Sequence, residues 1–460
     1  ECYPIAKVGG LADVVGALPK YQKELGIESA VIMPFYDNAF FKKNTFKNIF
    51  EDEVELDDEI YEFSVKVLSK NNLGFNIFFI DVPNLLYKDY VYSYEDTKRF
   101  LAFQIAALDW LSSQDKKPDA IHVHDHHTGL IPFMMAQSFK YETLKRIPSI
   151  FTIHNAQYQG WFSHQFVRFI PPFDFSKVGL LDWEGQINSL AAAIKCAWKV
   201  TTVSPSYMEE LTQKANGLES LLSYEKGKCQ GILNGIDSNE WNTKTDDKLE
   251  KNYTVDTVEK GKKANKDFLC EKFNLDKNKP LFAFIGRLVG EKGADLFPNI
   301  FNEALQSKDI SILLLGSGHK ETEKQLNQIQ NENYNHFIGY DEKLAHTIYA
   351  GADFLLMPSR VEPCGLNQMY SLRYGTVPIV SRVGGLKDTV ADISLKGGFG
   401  ITHDEVSVPS VINAINRAKK FYLEKRKFNK NRKQIMQIDH SWSKSAQDYL
   451  KLYKRLKTKL

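Results

Sequence analysis

Short apolar, β-branched runs separated by longer amphipathic stretches recur along the whole chain, and this alternation restricts the fold more than any other feature. Ala30-Val31-Ile32-Met33, Ile77-Phe78-Phe79-Ile80, Ile121-His122-Val123, Ser149–Ile153 and Val200-Thr201-Thr202-Val203 read as buried strands. Amphipathic stretches such as Phe100 to Leu111 separate them. The second half repeats the rhythm with Leu281–Ile285, Ile310–Leu315, His336–Ile338, Phe354–Met357 and Val377–Val380. Helical stretches of roughly 8–18 residues fill the gaps, as βαβ crossovers require. Strands alternating with helices predict parallel sheets covered on both faces. The 460 residues are too many for one ordinary core and suit two.

The expected division is an α/β domain over 1–238, a second over 239–439, and a terminal helix over 440–460. Ser441 can cap that helix, and Trp442, Ala446, Tyr449, Tyr453 and Leu456 follow at helical spacing. Such a stripe is a packing face, here expected to lie on the first domain. The Lys/Asp/Glu-rich segment Thr243–Lys279 reads as a surface insertion at the start of the second domain, with Asp246-Asp247 on the surface. The basic run Arg417–Lys433 reads as a solvated helix face. A glycine turn arrives at Gly9 with no room for a full strand before it. This predicts an edge or gap in the first sheet, and about six to ten further residues ahead of Glu1.

The net charge of +2 gives no global field that would favour nucleic acid or a membrane. No run approaches the ~18 consecutive apolar residues of a membrane span. Cys2, Cys196, Cys229, Cys270 and Cys364 form no pair at zinc or redox spacing, so a reduced, cytoplasmic setting is expected.

One phrase occurs twice. Lys7-Val8-Gly9-Gly10-Leu11-Ala12-Asp13-Val14-Val15 and Arg382-Val383-Gly384-Gly385-Leu386-Lys387-Asp388-Thr389-Val390 share the pattern basic–Val–Gly–Gly–Leu–x–Asp–x–Val. Each puts a glycine turn at a helix start. In the first copy the glycines let a ligand approach the backbone, and Lys7 with the helix dipole suits a diphosphate. The plainer reading is a turn that closes βα packing.

Other chemistry-bearing residues follow strands, at the carboxyl edge where open α/β sheets bind ligands. Arg287 ends one strand and Lys292 opens the next helix. Two such cations neutralise a departing phosphate, or else make surface ion pairs. In Pro358-Ser359-Arg360-Val361-Glu362-Pro363-Cys364-Gly365-Leu366, Glu362 lies in a loop where a carboxylate accepts sugar hydroxyls, or is merely an acid at a helix start. His122-Val123-His124-Asp125-His126-His127 invites a zinc reading. Strand alternation opposes it, since His122 and His124 share one face while Asp125 turns away. His154 stands at another strand end, where a lone histidine is usually structural.

Taken together, these segments resemble the starch synthase and glycogen synthase family of retaining glycosyltransferases, from Lys7 to about Leu456. The Lys7–Asp13 and Glu362–Leu366 segments are the most specific, and Asn234-Gly235-Ile236-Asp237 with Trp241 matches a further family motif. The resemblance implies the GT-B fold, two Rossmann-like doubly wound domains with a C-terminal helix crossing back to the first. It implies that Lys7, Gly9 and Gly10 meet the donor diphosphate and that Asp13 lies near the donor. Asp125, His154 and Asn234 would line the glucose pocket. Arg287 and Lys292 would hold the leaving diphosphate, and Glu362 would contact the glucose, beside Gly365 and Leu366.

The implied reaction moves glucose, with retention, from a nucleotide sugar such as ADP-glucose to the non-reducing end of an α-1,4-glucan. Partners are that glucan and the nucleotide sugar, with no metal and no separate cofactor. Alternatives are another glycosyltransferase of the fold using UDP-glucose or a small acceptor, or a non-catalytic glucan-binding relative. The chain departs from the family at His126, where Trp is usual, at Glu291, where Gln is usual, and at Thr243, where Pro is usual. Glu291, beside Lys292, is expected to weaken the local positive field.

Overall fold

The computed structural model of the chain describes residues 1–457. Two compact units emerge: Glu1–Asn234 joined by the terminal segment from Trp442, and Gly235–Ser441.

The second unit is the more regular. Its six strands are Leu281–Leu288, Ser311–Gly318, Tyr334–Ile338, Phe354–Met357, Val377–Ser381 and Ile401–His403, all parallel. Numbered by sequence within the unit, they lie in the order 3-2-1-4-5-6. That is a doubly wound sheet, whose switch point falls between strands 1 and 4. Apolar side chains fill both faces, as a parallel sheet between helix layers demands.

One expectation about this unit's charges needs correction, and another has an exception. Thr243–Lys279 is no surface insertion: Asp246 is buried, and its Oδ2 accepts hydrogen bonds from the Tyr374 hydroxyl at 2.6 Å and His346 Nδ1 at 2.8 Å. In helix Val258–Lys272, Lys262 is buried and its Nζ donates to the carbonyls of Tyr349, Ala350 and Tyr374 and to Thr376 Oγ1. In the basic run, Lys420, Lys425, Arg426, Lys427 and Lys430 are exposed as expected, and Arg432 is the exception, buried and paired with Asp353, which also binds Lys266 at 2.7 Å. Charges inside a protein persist when paired or fully hydrogen-bonded, and composition does not reveal the pairing.

The first unit holds two main four-stranded sheets. One is wholly parallel and carries Cys229–Gly231, Lys199–Thr202, Ser149–Ile153 and Ile121–His124 in that order. The other pairs Ala30–Pro34 in parallel with Asn76–Asp81, then adds Glu59–Leu68 and Phe46–Leu56 antiparallel. This hairpin departs from the expected all-parallel reading. Its strands alternate a polar outer face with buried Val54, Leu56, Phe63 and Val65, the pattern of an antiparallel sheet wet on one side. Helix Trp442–Lys457 lays Trp442, Ala446, Tyr449, Leu452 and Leu456 on Val14, Leu18 and Tyr21 of helix Gly10–Glu24.

Candidate functional site

In the second unit, strand Leu281–Leu288 delivers Arg287 to the carboxyl edge, and a turn over Gly290–Lys292 follows. Strand Phe354–Met357 runs into the loop that carries Glu362, and helix Asn367–Arg373 comes next. These two strands flank the switch point. There Lys292 Nζ donates to both oxygens of Glu362, at 2.7 and 2.6 Å, and Ser359 Oγ donates to Glu362 Oε2 at 3.0 Å. The turn and the loop are fastened together. The Arg360 guanidinium donates to Gly290 O at 2.6 Å and to both Asp295 oxygens at 2.6 and 2.9 Å, while Arg360 N–H donates to Glu291 O at 2.7 Å. Asn367 Nδ2 donates to Ile285 O at 2.7 Å and ties the helix start to the strand.

The resulting cavity, about 140 Å³, is lined among others by Arg287, Lys292, Ser359, Glu362, Leu366 and Asn367. Two cations and a carboxylate thus share one concave wall, and Leu366 supplies apolar surface. Gly365 lies outside the lining, at the loop's end, where a Cβ would come within 2.5 Å of Gln368 Oε1. Glu291 acts on a different neighbour from the one expected. Its carboxylate is 3.6 Å from the guanidinium of Arg287, whereas Lys292 is engaged by Glu362. The Arg287 side chain stays 62% exposed, so that pair is a weak, screened one.

Tyr340 was not singled out in the sequence. It follows strand Tyr334–Ile338 at the same carboxyl edge and is 82% exposed.

In the first unit, helix Gly10–Glu24 starts directly after the extended Gly9. Val8 N–H and Gly9 N–H both donate to Glu1 Oε2 at 2.7 Å, and Tyr92 OH donates to Glu1 Oε1 at 2.7 Å. The turn therefore holds an anionic oxygen on converging N–H groups. The first-turn N–H groups of Gly10 and Leu11 have no intrahelical acceptor and point out of the helix start. Lys7 pairs with Asp13 at 2.7 Å and is well exposed. Burial raises the Asp13 carboxyl above its usual range, with Lys7 opposing the shift.

Asp125 follows strand Ile121–His124 in a left-handed backbone conformation, φ 55°. Its Oδ1 accepts the His154 backbone N–H at 2.7 Å. Burial pushes its carboxyl up to about 7, against the backbone N–H groups of His154 and Asn155, while the Glu1 carboxylate adds to the rise. His154 is buried, and desolvation holds its imidazole well below the usual range. Asn234 is buried too, and its Oδ1 has no hydrogen-bond partner among the described residues. A sugar hydroxyl is the kind of donor that would satisfy it.

The histidine run engages its own neighbours. His122 and His124 stack at 4.3 Å on one face; His122 bonds Tyr453 OH and Thr152 Oγ1, and His124 bonds His154. His126 sits in an aromatic cluster with Tyr92, Phe100 and His127. Among the described residues, Glu240, Glu342 and His346 in the second unit have ligand atoms close enough for a metal ion, and Lys248 already offers an ammonium 3.0 Å from Glu240 and 4.0 Å from Glu342.

Residues 1–224 match the family model described as starch synthase catalytic domain, and residues 265–435 match glycosyl transferases group 1. A glycogen synthase of Flavobacterium johnsoniae is 52% identical over 459 residues, covering 98% of this chain and 97% of that protein. A glycogen synthase of Fervidobacterium nodosum is 38% identical, covering 100% of this chain and 98% of that protein. Among solved structures, the catalytic domain of starch synthase IV from Arabidopsis thaliana, bound to ADP and acarbose, superposes with a TM-score of 0.91 at 31% identity. That match covers 100% of this chain and 98% of the Arabidopsis one. Sucrose-phosphate synthase from Thermosynechococcus elongatus, at 17% identity, covers 98% of this chain and 95% of its own and shares the fold with a TM-score of 0.62.

Proposed function

The chain belongs to the glycogen synthase and starch synthase family of GT-B glycosyltransferases, and from that membership we propose the roles of its site residues. It is an enzyme that transfers glucose from a nucleotide sugar to an α-glucan. ADP-glucose is the donor and the non-reducing end of an α-1,4-glucan is the acceptor. ADP in the Arabidopsis relative supports the donor assignment. The reaction runs in the cytoplasm, without a separate cofactor or metal.

The observation that carries the reading is the cavity at the switch point, where Arg287, Lys292 and Glu362 meet. Breaking the anomeric C–O bond leaves charge on the departing diphosphate, and pre-placed cations stabilise that charge most in the transition state. Arg287 and Lys292 take this part. Lys292 arrives already paired with Glu362, so binding the diphosphate exchanges one anionic partner for another. Glu362 is then free to accept a glucose hydroxyl. Within the first unit, Lys7, Gly9, Gly10 and Asp13 are assigned to the donor and Asp125, His154 and Asn234 to the sugar; within the second, Gly365 and Leu366 support the loop that carries Glu362.

Transfer proceeds on the front face. The acceptor 4-hydroxyl oxygen bonds to C1, the C1–O(phosphate) bond breaks, and the hydroxyl proton passes to the leaving phosphate. Incubation with glycogen and labelled ADP-glucose or UDP-glucose tests the reading. Label entering glycogen from ADP-glucose supports it, a strong preference for UDP-glucose overturns the donor assignment, and no transfer from either overturns the activity.

A further inference from the structure

His154 Nε2 lies 3.0 Å from His124 Nδ1, so the ring nitrogen that His154 keeps for a ligand is Nδ1. Both imidazoles are held neutral by desolvation, His124 at about 3 and His154 well below the usual value. Two neutral imidazoles in such a contact share one N–H, and this couples their tautomers. If His124 Nδ1–H donates, His154 carries its own proton on Nδ1 and offers a donor there. If His154 Nε2–H donates, its Nδ1 becomes an acceptor.

His124 is itself firmly placed. Its backbone N–H donates to Thr128 Oγ1 at 2.7 Å, and its carbonyl accepts from the same hydroxyl at 2.7 Å. Its ring stacks on His122 at 4.3 Å. His122 is anchored in turn by Thr152 Oγ1 at 2.6 Å and by Tyr453 OH at 3.0 Å, and Tyr453 takes a hydrogen bond from Gln22 Nε2 at 3.0 Å. Tyr453 belongs to the terminal helix, so a chain of ring and hydroxyl contacts runs from that helix to His154.

We propose that His124 is a positioning residue for the transfer reaction: through the Nδ1–Nε2 contact it fixes the ring orientation and tautomer of His154, and so decides whether His154 presents a donor or an acceptor to the sugar. This rests on the placement of His154 in the glucose pocket. A ring free to turn or to exchange tautomers would present the wrong group part of the time, which lowers the fraction of bound donor in reactive geometry. The loss therefore appears in kcat rather than in donor KM.

The test compares His124→Leu, His124→Asn and His154→Ala, with ADP-glucose varied at saturating glycogen, and reads imidazole ¹⁵N resonances in the intact chain. His124→Leu is expected to lower kcat about a hundredfold with donor KM little changed, and His124→Asn, whose amide reaches the Nδ1 position, to recover to within about tenfold of the parent. In the parent chain His154 should show one neutral tautomer from about pH 5 to about pH 8. Parent-like kcat in His124→Leu while His154→Ala is slow would overturn the proposal. So would a mixture of tautomers at His154 in the parent chain, a measurement that stands even if His124→Leu does not fold. Parent-like turnover in His154→Ala would instead remove the glucose-pocket reading on which the proposal rests.

Discussion

The phrase basic–Val–Gly–Gly–Leu–x–Asp opens a helix in each unit, yet the two copies have different surroundings. At Gly9 and Gly10 an added Cβ would meet nothing within 4 Å, and the neighbouring N–H groups hold the Glu1 carboxylate. At Gly384, φ 42°, a Cβ would fall 2.1 Å from Glu362 O, and at Gly385 one would fall 2.0 Å from Cys364 O. Gly385 N–H donates to Glu362 O at 3.1 Å. The first turn is open and can meet a ligand. The second is packed against the backbone of a site residue and holds that residue in place. The shared phrase opens a helix in both units but not with the same backbone: the first helix starts at Gly10 after an extended Gly9, φ −142°, and the second starts at Gly384 itself, φ 42°. What lies opposite then decides whether the turn binds or braces.

The largest effects should come from the braced unit. Arg287→Ala and Lys292→Ala are each expected to lower kcat by about a hundredfold or more, roughly 3 kcal/mol of lost transition-state stabilisation. They should differ in stability. Arg287 is mostly exposed, so its loss should leave denaturant unfolding unchanged within about 0.5 kcal/mol. Lys292→Ala strands the buried Glu362 carboxylate and should destabilise the fold. Adding Glu362→Gln to Lys292→Ala should restore stability but not turnover. Parent-like kcat in both cation variants would leave donor binding as their only role.

Next in size is the glycine clamp itself. Gly385→Ala forces a Cβ against the Cys364 carbonyl, an overpacked position that typically costs about 1–3 kcal/mol. Because the displaced backbone carries Glu362 two residues earlier, kcat should fall with stability. A Gly385→Ala protein with parent-like unfolding and turnover would end the distinction between a brace and a binding turn.

What could be read in advance follows the same division between local shape and long-range contact. Strands such as Ile312–Leu315 and Phe354–Met357 announce themselves because a buried parallel strand must be continuously apolar. The hairpin Phe46–Leu68 carries no such signal, because one face is wet and its apolar residues alternate with acids and lysines. Arg287, Lys292 and Glu362 were legible as separate strand-edge residues. The Lys292–Glu362 pair was not, since it joins residues far apart in sequence. The burial of Asp246 is invisible in the sequence because its partners are far along the chain: His346 in helix Glu342–Gly351 and Tyr374 just after helix Asn367–Arg373. His124 likewise gave no sign that its partner would be His154.

A moderate effect should separate the first unit by pH. The Asp125 carboxyl is raised from 3.8 up to about 7, chiefly by burial. A group whose folded pKa lies above its unfolded value stabilises the fold fully below the unfolded pKa. That contribution is lost as pH rises through the folded one. Between about pH 4 and about pH 7 the parent chain should therefore lose stability from this group, and Asp125→Asn should flatten that part of the profile. Urea unfolding across this range checks it; identical slopes in parent and variant would place the carboxyl at its ordinary value.

The smallest effects belong to the open turn and to His126, and they complete the comparison. Gly9 has an extended backbone, φ −142°, that any residue adopts, and its Cβ position is empty. Gly9→Ala should therefore change unfolding free energy by less than about 0.5 kcal/mol, in contrast to Gly385→Ala. If the turn faces the donor diphosphate, the added methyl stands where the ligand approaches, and the variant should show raised donor KM at intact stability. His126→Trp, which restores the usual family residue, replaces one flat ring by a larger one in the cluster with Tyr92, Phe100 and His127. It should alter kcat by less than about tenfold, because the ring partners described for His126 are Tyr92, Phe100 and His127, none of which is assigned to the sugar. Gly9→Ala unfolding as early as Gly385→Ala would show that the first turn is a packing element too, and the difference between the two copies would vanish.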